Sequence, residues 1–223
     1  MSEQQEATTQ LHEAILDIIF HKGLKATTMD HIAASLSMSK RTLYEIYGSK
    51  QDMLITVLTY GARRQDRIYQ EIMDTEPNVI NAIVRIFLLH RDLIASADAS
   101  FFRDMDEYFP DVRKAYHRSE SCHTEALQHI FRRGVEEGMF RTDVNFRATW
   151  MLIHVQLESL KRMEEFFPPD FTLLEAFETI TVGFLRSIAS PKGMLLLDSL
   201  TPQFRTLAPG KHNGDSNDNT TDQ

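Results

Sequence analysis

The stretch of sequence that decides the fold runs from residue 23 to residue 54 and reads GLKATTMDHIAASLSMSKRTLYEIYGSKQDML. Apolar residues recur in it every three or four positions, which is the spacing of an α-helix with one buried face. Gly23 favours the end of a helix, because glycine tolerates the left-handed conformation found after many helix termini. The pattern predicts one helix from about residue 8 to 22 and two short helices after it, joined by a tight turn at residues 36–39.

Residues that cap helices mark where the short helices begin. Thr27, with Asp30 three positions later, has the spacing of a capping box with Asp in place of the usual Glu. Ser49 with Asp52 repeats this pattern at the start of a longer helix. Ser39 is the N-cap candidate of the second short helix, which we expect to end at about Tyr47.

The second short helix has two different faces. Leu43 and Tyr47 lie four residues apart and are expected to pack in the core with Ile32. The segment 37–50 contains three basic residues and one acidic residue, Glu45, a local charge of +2. We expect Glu45 on the surface, where it can exclude some bases.

Two short helices joined by a tight turn, with a polar and basic outer face on the second, are typical of a helix-turn-helix. A helix fits the major groove, where base edges are distinguishable, and its N-terminal N–H groups and basic side chains face phosphates. A single basic residue on a helix is usually only solvated surface, but an ordered set at this position favours DNA contact. The expected DNA contacts are Thr28, Ser39, Lys40, Arg41, Thr42, Tyr44 and Lys50.

This stretch closely resembles the N-terminal signature of TetR-family regulators: Gly, then Thr-Thr, Ile-Ala, a turn, Ser-Lys, Thr-Leu-Tyr, an aromatic residue and a second Ser-Lys before an acidic-aliphatic pair. Ser37 stands where the family usually has Gly, and Tyr47 where it usually has Phe. Ser37 must therefore tolerate a strained turn conformation, or the turn differs slightly. The resemblance implies a one-component transcriptional regulator, most commonly a repressor, with a double-stranded DNA operator and a small-molecule effector as partners and no cofactor.

The bulk composition restricts the class of protein. Hydrophobic residues make up 42% of the 223 residues, and with nine Gly and seven Pro turn signals are sparse, which favours an all-α fold. The net charge of −8, taken alone, argues against nucleic-acid binding. It is an average over the chain, however, whereas DNA responds to the local field at the contact surface. The single cysteine, Cys122, fits a reducing compartment. We expect a cytoplasmic protein with no membrane partner, because we find neither a signal-peptide pattern nor an apolar run approaching ~18 residues.

The expected architecture has three parts. A three-helix, helix-turn-helix DNA-binding domain spans residues 1–48, and a helical bundle for ligand binding and dimerisation spans 49–190. A C-terminal extension spans 191–223 and is expected to be disordered from about residue 209. Helices are predicted in the bundle at about 49–74, 77–95, 100–107, 111–138, 145–165 and 171–190.

The last two predicted helices indicate a homodimer. A helix that is apolar over much of its circumference must be covered on two sides, and the simplest cover is a second subunit. Two-fold symmetry also matches a pseudo-palindromic operator. A monomeric core is the alternative. The expected interface residues are Trp150, Ile153, Leu157, Leu160, Phe177, Ile180, Phe184 and Ile188.

The family resemblance further implies an effector pocket inside the bundle. Release from DNA would follow if the effector prefers a conformation that misfits the operator, with the helix that begins at Ser49 as the lever. His154 and Glu158 could hold a polar ligand group or form an internal pair. The candidate lining residues, each of which could equally be ordinary core, are Phe87, His90, Phe101, Phe102, Met105, Tyr116, His123, Trp150, His154 and Glu158.

The sequence leaves two alternatives to a DNA-binding regulator, an enzyme and an adaptor. A di-iron enzyme needs two Glu-x-x-His motifs and two further Glu, whereas the chain has one such motif, at residues 120–123. It also lacks a Gly-rich phosphate loop and the Gly-x-Ser-x-Gly of a hydrolase, so we expect neither an enzyme nor a metal site. An adaptor that keeps the helix-turn-helix but acts through protein contacts would not need the basic face.

Overall fold

The computed structural model describes residues 3–98, 100–120, 123–163, 168 and 171–205. Within these ranges it does not describe the side chains of residues 3, 102, 116–120, 123–127, 161–163 and 201–205. The helices are α1 (Glu3–Lys22), α2 (Met29–Ser35), α3 (Lys40–Tyr47), α4 (Lys50–Thr75), α5 (Val79–Ser96), α6 (Phe101–Tyr108), α7 (Pro110–Glu120), α8 (His123–Glu136), α9 (Phe146–Met163), α10 (Leu173–Ile188) and α11 (Pro191–Arg205). The described ranges contain no strand, only an isolated bridge between Phe140 and Ala189, and the predicted all-α class is confirmed.

The first apolar core joins the N-terminal helices. Ile15 and Ile19 of α1, Ile32 of α2 and Leu43 of α3 are completely buried in it, and Tyr47 is nearly so. The same cluster continues into α4, α6 and α7 through Met53, Leu54, Val57, Leu58, Phe101, Met105 and Val112. The three N-terminal helices therefore share one core with parts of the larger bundle and do not form a separate globule.

The second core lies in the bundle, between α4, α5, α8, α9, α10 and α11. Phe87 of α5 stacks on Phe177 of α10, with ring centroids 5.2 Å apart and planes 2° apart. Leu197 of α11 is completely buried in this core. No helix was predicted after residue 190, yet Pro191 occupies the first turn of α11, where a missing N–H costs nothing.

The start of α2 corrects one sequence prediction. The N-cap is Thr28, whose hydroxyl accepts a hydrogen bond from the His31 N–H, and not Thr27. Thr27 is completely buried, and its hydroxyl donates to the Gly23 carbonyl at 2.8 Å. Asp30 is therefore not part of a capping box with Thr27.

The other local signals of the N-terminal region are confirmed, apart from the predicted start of the first helix. Gly23 has φ +79 and follows α1, which begins at Glu3 instead of residue 8. Ser39 and Ser49 cap α3 and α4 by accepting from the Thr42 and Asp52 N–H groups. Ser37 has φ +53, so the strained left-handed conformation is the one of the two alternatives that the structure shows.

Parts of two other predictions lie outside the described residues. The helix predicted at 111–138 corresponds to α7 and α8, between which residues 121 and 122 are not described. Cys122 and the tail from residue 209 fall in the ranges that the structure does not describe. None of the helices in the described ranges is long and apolar enough to span a membrane.

Candidate nucleic-acid interface

The outward face of α3 is the candidate reading surface. Leu43 is buried and Tyr47 is 8% exposed, so both anchor the helix in the core as predicted. The opposite face carries Arg41, Thr42 and Tyr44, all of them exposed. The Ser39 hydroxyl contacts the Thr42 N–H at 3.0 Å and the Thr42 hydroxyl at 2.7 Å, which fixes the first turn of the helix. A capped helix with such a face can present its first turn and its polar side chains to a groove.

Lys40 is held by the preceding helix. Its ammonium lies 2.6 Å from the Oδ1 of Asp30, in the first turn of α2. The hydrogen bond and the charge of Asp30 raise the pKa of Lys40 above its usual value. The same ammonium lies 6.0 Å from the centroid of the Tyr44 ring. The ion pair links the two helices on either side of the turn.

Arg41 is paired along its own helix. Its Nε donates to the Glu45 carboxylate at 2.8 Å, with the Arg41 side chain 87% and the Glu45 side chain 60% exposed. An exposed pair of this kind is weak because water competes for both groups. Arg41 can therefore leave Glu45 at little cost, and Glu45 remains on the outward face as predicted.

The ammonium of Lys50 is turned towards the protein. It donates to the carbonyl of Leu24 at 2.6 Å and to that of Lys25 at 3.4 Å, and it lies 5.1 Å from the centroid of the Phe109 ring. Burial lowers the pKa of Lys50. In this conformation Lys50 joins the start of α4 to the loop between α1 and α2.

Three residues near this face were not found from the sequence. Ile46 follows Leu43 by three positions and belongs to the core by spacing, yet 49% of it is exposed. The short α3 buries only the stripe of Leu43 and Tyr47.

Lys22, at the end of α1, places its ammonium 2.7 Å from the Nε2 of His31 on α2. No short-range signal predicts that contact, because the crossing of α1 and α2 brings the two residues together.

Comparison with known proteins gives the family of the N-terminal domain. Residues 11–57 match the family model described as bacterial regulatory proteins, tetR family. The N-terminal domain belongs to the TetR family. Among curated protein sequences, none matches the chain.

Solved structures extend the likeness in fold beyond the N-terminal domain. A transcriptional regulator from Cytophaga hutchinsonii is 17% identical with a TM-score of 0.64, and the match covers 82% of this chain and 99% of the other. A TetR-family regulator from Agrobacterium tumefaciens is 12% identical (TM-score 0.64, 83% and 99% covered). A putative regulator from Saccharomonospora viridis, solved in complex with choline, is 15% identical (TM-score 0.63, 83% and 99% covered). These matches confirm the fold: a TetR-type N-terminal domain followed by a helical region.

The TetR-type domain is fastened to the bundle at the start of α6. The buried carboxylate of Asp104 accepts from the Lys25 N–H at 2.8 Å and from the Ser100 hydroxyl at 3.4 Å. The Asp98 N–H donates to the Phe20 carbonyl at 2.7 Å. A Cβ on Gly23 would lie 2.6 Å from the Ser100 Oγ, so the loop and α6 meet without spare room. A displacement of α6 would therefore act directly on the loop that precedes α2.

The residues expected at a dimer interface divide into two groups. Ile153, Leu160, Phe177 and Ile188 are buried within the subunit, and Leu157 packs beside them in the same bundle. Trp150, Ile180 and Phe184 are half-buried. Ile153, Ile180 and Phe184 line an open groove of about 350 Å³ between α9 and α10, together with Thr149, Leu152, Gln156, Thr179, Gly183 and Ser187.

An apolar stripe on α9 that the sequence analysis did not name faces outwards beside this groove. Met151, Leu152 and Val155 are 61%, 65% and 55% exposed. Their neighbours Trp150 and Ile153 face inwards, where Trp150 meets Phe184 edge to face at 6.0 Å. The helix is therefore apolar on both sides, and one side is covered within the subunit.

The candidate pocket residues are not gathered in one place. Phe101 and Met105 belong to the first core, where Phe101 stacks on Phe20 at 4.5 Å. Phe87 belongs to the second core, and His154 is exposed. Trp150 and Glu158 are half-buried. The side chains of Phe102, Tyr116 and His123 lie outside the described residues.

A polar group in the bundle includes one of these candidates, His90. The Tyr69 hydroxyl of α4 lies 2.6 Å from the His90 Nε2 of α5, and Gln65 donates to the same hydroxyl. The His90 ring is 6.4 Å from that of Phe177. This group places hydrogen-bonding atoms beside an aromatic wall where α4, α5 and α10 meet. No three His, Cys, Asp or Glu of the described part of the chain come close enough to hold a metal ion, and the side chains of the motif at 120–123 are outside it.

Proposed function

We propose that this chain is a one-component transcriptional regulator that binds a pseudo-palindromic operator as a homodimer and is released by a small-molecule effector. Repression, the usual mode of TetR-family regulators, is the proposed outcome of operator binding. The observation that carries the proposal is the capped α3, whose exposed polar face stands in a domain that matches the TetR family model.

The DNA contacts follow from the geometry of the two short helices. The free N–H groups of the first turn of α3 and the hydroxyls of Ser39 and Thr42 suit phosphates. Arg41 and Tyr44 extend from the exposed face towards base edges and the phosphates of the groove. The hydroxyl of Thr28 supports this role less directly, because it is already engaged as the N-cap of α2. Lys50 would contact a phosphate only after releasing the carbonyl of Leu24.

A second copy of the chain is the proposed partner of α9 and α10. The exposed apolar stripe of Met151, Leu152 and Val155, with the adjoining groove, is the kind of continuous apolar surface that marks a protein interface. A two-fold axis at this face pairs the same patch on both subunits. It would also present two copies of α3 to successive turns of one DNA face.

The proposed effector site lies in the bundle, where Tyr69 and His90 offer polar atoms beside Phe177. A regulator of similar fold was solved with choline, which supports a small-molecule effector without identifying this one. Coupling to the DNA would pass through two connections to the loop between α1 and α2. One is Asp104 of α6, and the other is Lys50 at the start of α4. An effector that favours one arrangement of α4 and α6 shifts the population of DNA-competent dimers.

Selection of bound sequences from a random duplex library, with purified full-length protein at near-physiological salt, tests the proposal. Enrichment of one palindromic motif supports operator binding by a dimer, and it supplies the DNA for a screen of effectors by release. The control is Arg41→Ala, which should lose the enrichment while keeping the helical content of the wild type. Weak, salt-sensitive binding without enrichment would instead favour an adaptor that acts through protein contacts.

A further inference from the structure

The ion pair between α2 and α3 has a consequence for the choice between operator and other DNA. We propose that Asp30 is a specificity-determining residue of the DNA interface, because its carboxylate directs the Lys40 ammonium to base edges and away from phosphates. This inference rests on the proposed operator binding and concerns how the same surface discriminates between sequences.

The ion pair lies at the surface of the helix-turn-helix. Asp30 lies in the first turn of α2 and Lys40 in the first turn of α3, so the pair joins the starts of the two helices. Nζ and Oδ1 are 2.6 Å apart, and both side chains remain more than half exposed, Lys40 at 56% and Asp30 at 66%. Because Thr28 alone caps α2, the Asp30 carboxylate has no competing cap role. The pair therefore lies on the surface that meets DNA, and Asp30 accompanies Lys40 into the complex.

A lysine ammonium can make several hydrogen bonds at once. Lys carries three donors, so Lys40 can keep one on Asp30 and give another to a base acceptor. Guanine presents two uncharged acceptors, O6 and N7, in the major groove. A lysine that bridges a carboxylate and such a base brings together only one anion and a neutral edge.

A phosphate behaves differently in the same position. A Lys40 that bridges Asp30 and a phosphate oxygen holds two anions within a few ångströms of each other, and their repulsion opposes the contact. Nonspecific binding depends on phosphate contacts and on the counterions that they release. Asp30 therefore weakens the nonspecific complex more than the operator complex, in which Lys40 reads a base.

The matched test compares Asp30→Asn with Asp74→Asn. Asp74 is exposed near the end of α4, far along the chain from Lys40. Its substitution by Asn changes the net charge by the same one unit as Asp30→Asn. The affinities of full-length protein for the selected operator and for a shuffled duplex of equal length are measured by fluorescence anisotropy over a series of salt concentrations. Circular dichroism and thermal unfolding check that each variant folds as the wild type does.

In Asp30→Asn, the affinity for shuffled DNA should rise by about three- to tenfold at about 0.1 M salt, and the slope of log K against log salt should steepen by about 0.9, the value of one added phosphate contact. The operator affinity should change much less, so the specificity ratio falls. The effect should vanish in the background Lys40→Gln. The inference would be overturned if the specificity ratio of Asp30→Asn stayed unchanged or fell only as much as that of Asp74→Asn. It would also be overturned if the effect persisted in the Lys40→Gln background. A wild type that does not distinguish the two duplexes would overturn the proposed function, and the inference with it.

Discussion

Replacing Tyr47 by Phe should stabilise the protein. The Tyr47 hydroxyl is buried, with no hydrogen-bond partner among the described residues. The ring itself is well placed: it is 8% exposed in the first core and lies 6.0 Å from the His12 ring. Phe keeps these ring contacts and removes only the unsatisfied hydroxyl.

The magnitude follows from the cost of burying an unpaired polar group, about 1–3 kcal/mol. Part of this gain is lost because the hydroxyl also fills space, so we expect the free energy of unfolding to rise by about 1 kcal/mol. For a chain of this size such a change raises the melting temperature by about 2–4 °C. Urea unfolding followed by circular dichroism measures it, at a protein concentration held constant so that any dimer contributes equally.

Tyr44→Phe is the matched control, because it removes a hydroxyl from the same helix at a side chain that is 41% exposed. Its unfolding free energy should stay within about 0.5 kcal/mol of the wild type. Loss of stability in Tyr47→Phe, or equal gains in both variants, would refute the reasoning, since the first result requires a partner for the hydroxyl and the second a general preference for Phe.

The same substitution has a pH signature. Burial raises the pKa of Tyr47 from 10.0 to about 12. Between these values the unfolded phenol loses its proton while the folded one keeps it, so the stability of the wild type falls as pH rises from 10 towards 12. The variant lacks this group, and its advantage should widen above pH 10. A constant difference between pH 8 and pH 11 would show that the hydroxyl is not buried as described.

Three further substitutions test other parts of the structure. Ser37→Gly should raise the unfolding free energy by about 0.5 kcal/mol, because it relieves the left-handed strain at φ +53 but also loosens the unfolded chain. The control Ala34→Gly, at an exposed residue within α2, should lower it by up to about 1 kcal/mol, and the same sign for both would contradict this expectation. Gly193→Ala should cost several kcal/mol in denaturant unfolding, because its Cβ would lie 2.2 Å from the Met139 carbonyl oxygen, whereas Ser199→Ala on the same helix should be near neutral. Leu152→Glu should turn a dimer into a monomer in analytical ultracentrifugation. Leu195→Glu, at a residue 76% exposed on α11, should leave the dimer intact. If both variants stay dimeric, α9 is not part of the dimer interface.

The sequence predicted the N-terminal helices well because their signals are local. An N-cap such as Ser39 or Ser49 accepts a hydrogen bond from an N–H three residues away. The spacing of Leu43 and Tyr47 shows which face of a single helix is buried. The exchange of Thr27 for Thr28 as the N-cap shows the limit of this reasoning. Two adjacent threonines have the same capping chemistry, and the burial of Thr27 against the Gly23 carbonyl decided which one caps α2.

Periodicity predicted less about the bundle, because it shows that a face is buried without showing what covers it. Phe87 and Phe101 both read as interior aromatic residues, yet they lie in different cores. The stripe of Trp150, Ile153 and Leu157 was expected to meet a second subunit, whereas much of it packs within the subunit, and Leu152 beside it is exposed.

The sequence by itself determined the fold class and the helix-turn-helix, since the signals for both depend on residues within about one helical turn of one another. It left open whether Ser37 is strained or the turn differs, and the structure shows the strained conformation. Only the tertiary structure decided where the cations of that face are held. Lys40 meets Asp30 across the crossing of α2 and α3, and Lys50 meets carbonyls more than 20 residues earlier in the chain. The physical reason is that ion pairs and hydrogen bonds between elements depend on how helices cross, and the crossing is set by packing of the whole core.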